Sequence, residues 1–413
     1  MIDPASHLTV GGLRAAALAE RYGTPLYAYD LAAMREEARA AVAAFDGAPH
    51  LVAYAVKANT AGPILRTFAA LGLGADVVSG GELSVALASG VSPERILYSG
   101  VAKRQDEIAL AIGAGDRGIF ALHIESVEEI DRVAQVARSL GRRARVGLRI
   151  NPEIDEVATH AHVATGHDEA KFGVARADVA LAIDRIRSRP ELDLGGLTVH
   201  VGSQLTATDD YRAGARVLFS IAAGLPERAS LRFLDTGGGF GIDYGAGCPV
   251  TPADFVRVAR EEQATAGLEG VPLFVEPGRR LVASHGVLLT RVIQTKAAKP
   301  LPWTFVDAGM NDLVRPALYQ ARHRIVPATP TSGPMRETRV AGPVCESADD
   351  FGVHELPVDA SLVALLDAGA YGFTMASQYN ARALPAEVFI DQGEIVAERA
   401  RGDVAAWVRE RSA

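Results

Sequence analysis

Lys57 stands at the end of a short apolar run, Leu51-Val52-Ala53-Tyr54-Ala55-Val56, that reads as a buried strand. An ammonium there is costly to bury unless a charge compensates it or chemistry uses it. A desolvated lysine loses its proton more easily and can attack a carbonyl to form a Schiff base. The bland alternative is a strand-end lysine that snorkels to water. Further along, His200 and Ser203 close the run that begins at Gly195. Gly237-Gly238-Gly239 closes the run from Phe233, and Glu276-Pro277-Gly278-Arg279 the run from Leu273. Together these would suit an aromatic aldehyde that carries a phosphate. Lys57 would take the carbonyl, and the glycines would let backbone amides approach the anion. Glu276 would face a ring nitrogen and keep it protonated, which makes the ring an electron sink, and His200 would stack on the ring. Taken singly, a triple glycine also marks a tight turn, and a lone histidine is also a hydrogen-bonded core residue.

The elements that position these residues repeat. Eight apolar runs alternate with helix-like stretches: Leu51–Lys57, Gly74–Ser79, Ile96–Gly100, Ile119–His123, Arg145–Ile150, Gly195–Gly202, Phe233–Gly239 and Leu273–Gly278. Ser126 with Glu129 has capping-box spacing and opens one helix; Gly90 closes another. Eight such units in about 230 residues match a (β/α)8 barrel, whose sites lie where the strands end. Lys57, Arg149, His200, Ser203, the triple glycine and Glu276–Arg279 then converge on one mouth. After Gly278 the texture shifts to strand-like stretches, such as Gly286–Gln294 and Trp303–Asp307, without long helices. The expected fold is α/β plus β, with a TIM-like barrel over residues 31–280. A mostly antiparallel β-barrel domain is built from residues 1–30 and 281–413, since Thr24–Tyr29 reads as a strand ahead of the barrel.

Composition narrows the class. The chain has 413 residues, 48% hydrophobic and 22% charged, with net charge −8 and no basic block. That argues against nucleic acid or an anionic membrane as partner. Cys248 and Cys345 are the two cysteines, so a reducing, cytoplasmic setting is expected.

Tyr54–Asn59, His200–Gln204, Gly237–Gly239 and Glu276–Arg279 together resemble the fold-type III pyridoxal-phosphate decarboxylases, the alanine-racemase-like barrel enzymes. The second half is similar to their diaminopimelate decarboxylase branch, through Asp307–Tyr319, Gly342–Ser347, Gly369–Gly372, Met375–Asn380 and Pro385–Val388. The resemblance implies pyridoxal 5'-phosphate as cofactor and no metal. It implies that Lys57 carries the cofactor, Glu276 pairs with its ring nitrogen and His200 packs on the ring. Ser203, Gly237–Gly239, Gly278, Arg279 and Tyr371 would serve the cofactor, mainly its phosphate. Cys345 would be the acid that reprotonates carbon. A homodimer with shared sites follows, in which Cys345 of the partner subunit completes each barrel.

Diaminopimelate carries a second amino-acid centre at its far end. A site for it needs cations for the distal carboxylate and an anion for the distal ammonium. The resemblance gives these tasks to Arg279, Arg315, Tyr319, Tyr371 and Glu346, with L-lysine as product. The alternatives are decarboxylation of ornithine, lysine, arginine or a carrier-bound amino acid; a racemase, against which Glu276 argues; or an inactive homologue, which would tend to lack Lys57 or Cys345. The long segment Asn151–Gly173 reads as a working loop; His160, His162, His167 and Asp168 within it lack standard metal spacing. Two departures from the family pattern stand out: Leu384 where a second arginine is usual, and Ala348-Asp349-Asp350-Phe351 after Ser347.

Overall fold

A computed structural model describes residues 7–154, 171–226 and 228–412. Eight parallel strands close a barrel in chain order: His50–Ala55, Gly74–Val77, Ile96–Tyr98, Ala121–Ile124, Ala144–Ile150, Leu192–Val199, Phe233–Asp235 and Leu273–Val275. Each falls on one of the eight apolar runs. Parallel strands covered on both faces need apolar residues throughout. Leu51, Ala53, Leu97, Ala121, Phe233 and Phe274 form one buried cluster, with the Phe233 and Phe274 rings stacked 5.2 Å apart.

The helices are placed by caps and by 3.6-residue periodicity. Val127–Ser139 buries Ile130, Val133, Ala134 and Ala137, one face of a helix. Ser126 caps it by accepting the Glu129 N–H at 3.2 Å. The capping box suggested by the sequence is only half made. Instead of turning back to Ser126, the Glu129 carboxylate meets the buried Lys103 ammonium at 3.1 Å and accepts the Glu125 N–H at 2.8 Å. A buried cation needs its counter-charge more than a helix end needs a second cap.

Thr9–Val10 and Leu13–Arg14 make a separate antiparallel pair, and the other strands form a nine-stranded mixed sheet, an open and branched path rather than a closed barrel. Leu26–Asp30 lies inside it, antiparallel to Gly286–Lys296 and parallel to Ala386–Asp391. Six pairings are antiparallel and two parallel. The branch arises because Gly286–Lys296 is eleven residues long and changes partner along its length, with a register shift between Val292 and Gln294. By internal contacts the chain divides into two units: residues 37–242 with 247–280, and residues 1–36, 243–246 and 281–413. No helix among the described residues is long and apolar enough to cross a membrane.

Candidate active site

The first barrel strand ends at Ala55, and Lys57 lies in the single 3-10 turn Val56–Ala58 that follows. That turn carries Lys57 Nζ to 3.0 Å from Asp76 Oδ2, at the end of the second strand. Asp76 is fully buried, while the Lys57 side chain keeps 37% of its exposure. The bare, desolvated amine expected from the sequence is therefore an ion pair in this structure: the strand end that exposes the lysine also brings it a carboxylate.

Lys57 lines a cavity of about 330 Å³ with Ser99, Arg149, Phe172, Thr198, His200 and Glu276. Lys57, His200 and Glu276, read from the sequence as one mouth, thus meet in one space. Glu276 Oε1 is buried with no hydrogen-bond partner, as are Asp235 Oδ2 and Asp76 Oδ1. Burial and the neighbouring Asp235 and Asp76 carboxylates push the Glu276 carboxyl well above the usual range, against the pull of Lys57 and Arg149. Burial likewise pushes Asp235 up to about 7. An orphaned buried carboxylate oxygen suits a protonated ring nitrogen, so these residues fit a pyridine cofactor.

His200 Nδ1 accepts the Gly238 N–H at 3.2 Å, which leaves the ring proton on Nε2. Burial, with the Arg149 and Lys57 charges, holds His200 well below its ordinary value. A neutral imidazole packs on a ring face without repelling a ring cation. The three glycines are required by close backbone approach. A Cβ would stand 2.6 Å from Val199 O at Gly237, 2.1 Å from Glu276 O at Gly238 and 2.4 Å from Gly202 O at Gly239. The Gly237 amide donates to Asp235 Oδ1 at 2.8 Å. The Gly238 amide is thus taken by His200 and the Gly237 amide by Asp235. Gly278 is needed for space too, since its Cβ would lie 3.0 Å from that of Ala55. The buried Arg279 donates from Nη2 to Ser203 Oγ at 2.9 Å.

Arg315, Tyr319, Cys345, Glu346 and Tyr371 belong to the other unit. Arg315 is buried at the start of the helix Arg315–Tyr319, whose last residue, Tyr319, is half-buried. Its Nη1 donates to His323 Nε2 at 2.7 Å, and its guanidinium lies 4.8 Å from the Tyr244 ring centre. His323 Nδ1 donates in turn to Leu366 O at 2.9 Å. The Cys345 thiol is exposed and its N–H donates to Asn380 Oδ1 at 2.8 Å. Glu346 accepts the Tyr379 hydroxyl. Tyr371 sits at φ 55°, a left-handed backbone that costs a non-glycine residue energy. The atypical run after Ser347 has a job. Asp349 accepts the Val344 and Met310 N–H groups, each at 2.6 Å, and ties the cysteine loop to the Asp307–Tyr319 segment. His160, His162, His167 and Asp168 lie outside the described residues; no cluster that could hold a metal occurs among the described ones.

Arg149, read from the sequence as a member of the mouth without a task, does line the cavity. Two residues escaped the sequence reading as site members, Asp76 and Asp235. The available signal was an acid inside an apolar strand run, which needs a partner or a purpose.

Comparison with known proteins agrees with this geometry. Residues 31–283 match the pyridoxal-binding domain model of the pyridoxal-dependent decarboxylases. The chain is 42% identical over 401 residues to the diaminopimelate decarboxylase of Zymomonas mobilis, covering 95% of this chain and 94% of that protein. It is 40% identical over 400 residues to the enzyme of Pseudomonas fluorescens, with 95% and 94% covered. The solved diaminopimelate decarboxylase of Helicobacter pylori, complexed with L-lysine, superposes with a TM-score of 0.89 at 35% identity over 96% of this chain and 99% of that one. With its barrel, its lysine at the first strand end and this full-length likeness, the chain belongs to the pyridoxal-phosphate-dependent diaminopimelate decarboxylase family.

Proposed function

We propose that this chain removes CO2 from meso-2,6-diaminopimelate to give L-lysine, the final step of lysine biosynthesis, with pyridoxal 5'-phosphate as cofactor. The observation that carries the reading is the cavity in which Lys57 and the unpartnered Glu276 Oε1 meet. Bound pyridoxal phosphate supplies an electron sink for the pair of electrons left when the bond from Cα to the carboxylate breaks. Lys57 Nζ would hold it, Glu276 would keep its ring nitrogen protonated, and neutral His200 would pack on its face. Ser203, Gly239, Arg279 and Tyr371 would receive the phosphate. Val78, Val101 and Phe172 supply apolar wall, which would hold water off the reacting bond once cofactor and substrate fill the cavity.

Cys345 would give its Sγ proton to the carbon that has lost CO2. An exposed thiol cannot serve a water-excluding cavity from solvent, so we assign the working form to a homodimer in which Cys345 of the partner subunit closes each site. A chain with two cysteines and no disulfide between them suits a reducing cytoplasm. Cys345→Ala should lower kcat about 10²-fold, the scale of losing one positioned acid, and leave cofactor affinity unchanged. Stopped-flow absorbance with single-turnover kinetics would show the step after CO2 loss slowed; an unaltered kcat removes Cys345 from the role.

Substrate identity rests on Arg279, Arg315 and Glu346, a set that matches a distal carboxylate and ammonium. The diaminopimelate decarboxylase solved from M. jannaschii in co-complex with L-lysine is similar over 98% of this chain, at 34% identity and TM-score 0.91. CO2 release should be measured across meso-diaminopimelate, ornithine, lysine and arginine. The expected result is kcat/KM higher for diaminopimelate by about 10³-fold or more, because the others leave buried arginines without their carboxylate. Activity on ornithine without activity on diaminopimelate overturns the substrate.

A further inference from the structure

Glu125 has no task in the scheme above, yet four hydrogen bonds converge on it from three segments of the barrel mouth. Arg149 Nη1 donates to both its oxygens, at 2.9 and 3.2 Å. The Gly100 N–H donates to Oε1 at 2.5 Å and the Gly173 N–H to Oε2 at 3.1 Å. The pair is buried, with side-chain exposures of 10% for Arg149 and 2% for Glu125. Arg149 and Gly100 line the cavity, as does Phe172, whose ring centre lies 4.9 Å from the Arg149 guanidinium. We propose that Glu125 is a positioning residue for the reaction: it fixes Arg149 at the cavity wall and so sets the charge that Lys57, His200 and Glu276 experience. The inference rests on the decarboxylase reading for its kinetic consequence, but not for its spectroscopic one.

The electrostatics run the same way. Burial alone would raise the Glu125 carboxyl, but Arg149, Lys103 and the Gly100 amide outweigh it and hold it below the usual range. The pair is therefore ionised at neutral pH. The charged and titratable groups around it are Lys103 and Glu129 on the helix side, His123 inside the barrel with Nδ1 3.1 Å from Ser99 Oγ, and Lys57, His200, Asp76, Asp235 and Glu276 on the cavity side. Arg149 helps keep His200 neutral and opposes the rise of Glu276. A guanidinium free to turn would lose that selectivity.

The holoenzyme variants Glu125→Gln, Arg149→Gln and the double variant test this. Glu125→Gln keeps the shape but leaves the Arg149 charge uncompensated. Its kcat should fall by about 10²-fold, the scale of a misplaced site group, with KM within about threefold of wild type. The pH midpoint of the bound cofactor's visible absorbance should move down, since extra positive charge favours proton loss; in Arg149→Gln it should move up. The double variant should lose no more kcat than Arg149→Gln alone. An unmoved midpoint in Glu125→Gln, or a double loss equal to the product of the single losses, overturns the proposal. If Glu125→Gln fails to fold, Glu125→Asp carries the test: it retains the charge, withdraws it by one methylene, and should lower kcat about fivefold at constant KM. No loss there overturns it as well. A wild type that binds cofactor yet releases no CO2 from diaminopimelate defeats the substrate reading alone, and the absorbance midpoints still decide Glu125.

Discussion

Replacing Lys57 with alanine is expected to cut CO2 release by about 10⁴-fold or more, the scale seen when a covalent catalytic group is removed. Lys57 is the only amine among the described cavity-lining residues, so none of these substitutes for it. Wild-type protein should show a visible absorbance from bound cofactor, and borohydride should fix that cofactor onto the peptide containing Lys57. The alanine variant should show no fixed label, and added methylamine should restore a small part of the rate. Folding should survive. The exchange strips Asp76 of its cation, and breaking a fully buried pair costs about 3–5 kcal/mol. This pair is open to solvent on the lysine side, so the loss should be nearer ~1 kcal/mol. A label found on another lysine, or a variant with wild-type turnover, ends the assignment.

How much of this was legible beforehand follows from what each residue competes with. The barrel strands could be read because parallel strands buried on both faces leave an unbroken apolar signature, and Lys57 could be read because it ends one. Leu26–Asp30 could be given to the second sheet because it precedes the repeat. The branching at Gly286–Lys296 could not, since a strand's choice between partners depends on long-range register. The triple glycine was visible as chemistry-permitting backbone. That two of its amides serve Asp235 and His200 depends on which strand ends stand opposite, which spacing does not encode. Glu125 was hidden for a related reason. It sits beside Ser126, whose cap is local and readable, while its partners Gly100, Arg149 and Gly173 are 24 to 48 residues away.

Glu276→Gln should produce the second large effect, and one that shows without substrate. The amide matches the carboxylate in shape but cannot keep a ring nitrogen protonated, so kcat should fall by about 10²–10³-fold, as when one preorganised electrostatic group is removed. The cofactor-free protein carries the other half of the test. Glu276 and Asp235 are held protonated chiefly by burial, and Glu276 also by the Asp235 and Asp76 charges, with Asp235 up to about 7 and Glu276 well above its usual range. Between the ordinary carboxyl range near ~4 and those raised values, the folded state binds more protons than the unfolded state. Its stability must therefore fall as pH rises through that window, the reverse of a salt-bridged carboxylate. Urea unfolding of cofactor-free wild type from pH 5 to 8 should show this decline, and Glu276→Gln should flatten it by removing one titrating group. Adding pyridoxal phosphate should flatten it in wild type, where the ring cation meets the ionised Glu276, and less in the variant. Parallel pH profiles for the two cofactor-free proteins would mean that Glu276 is not held protonated. The carboxylate would then need another explanation for its place in the cavity.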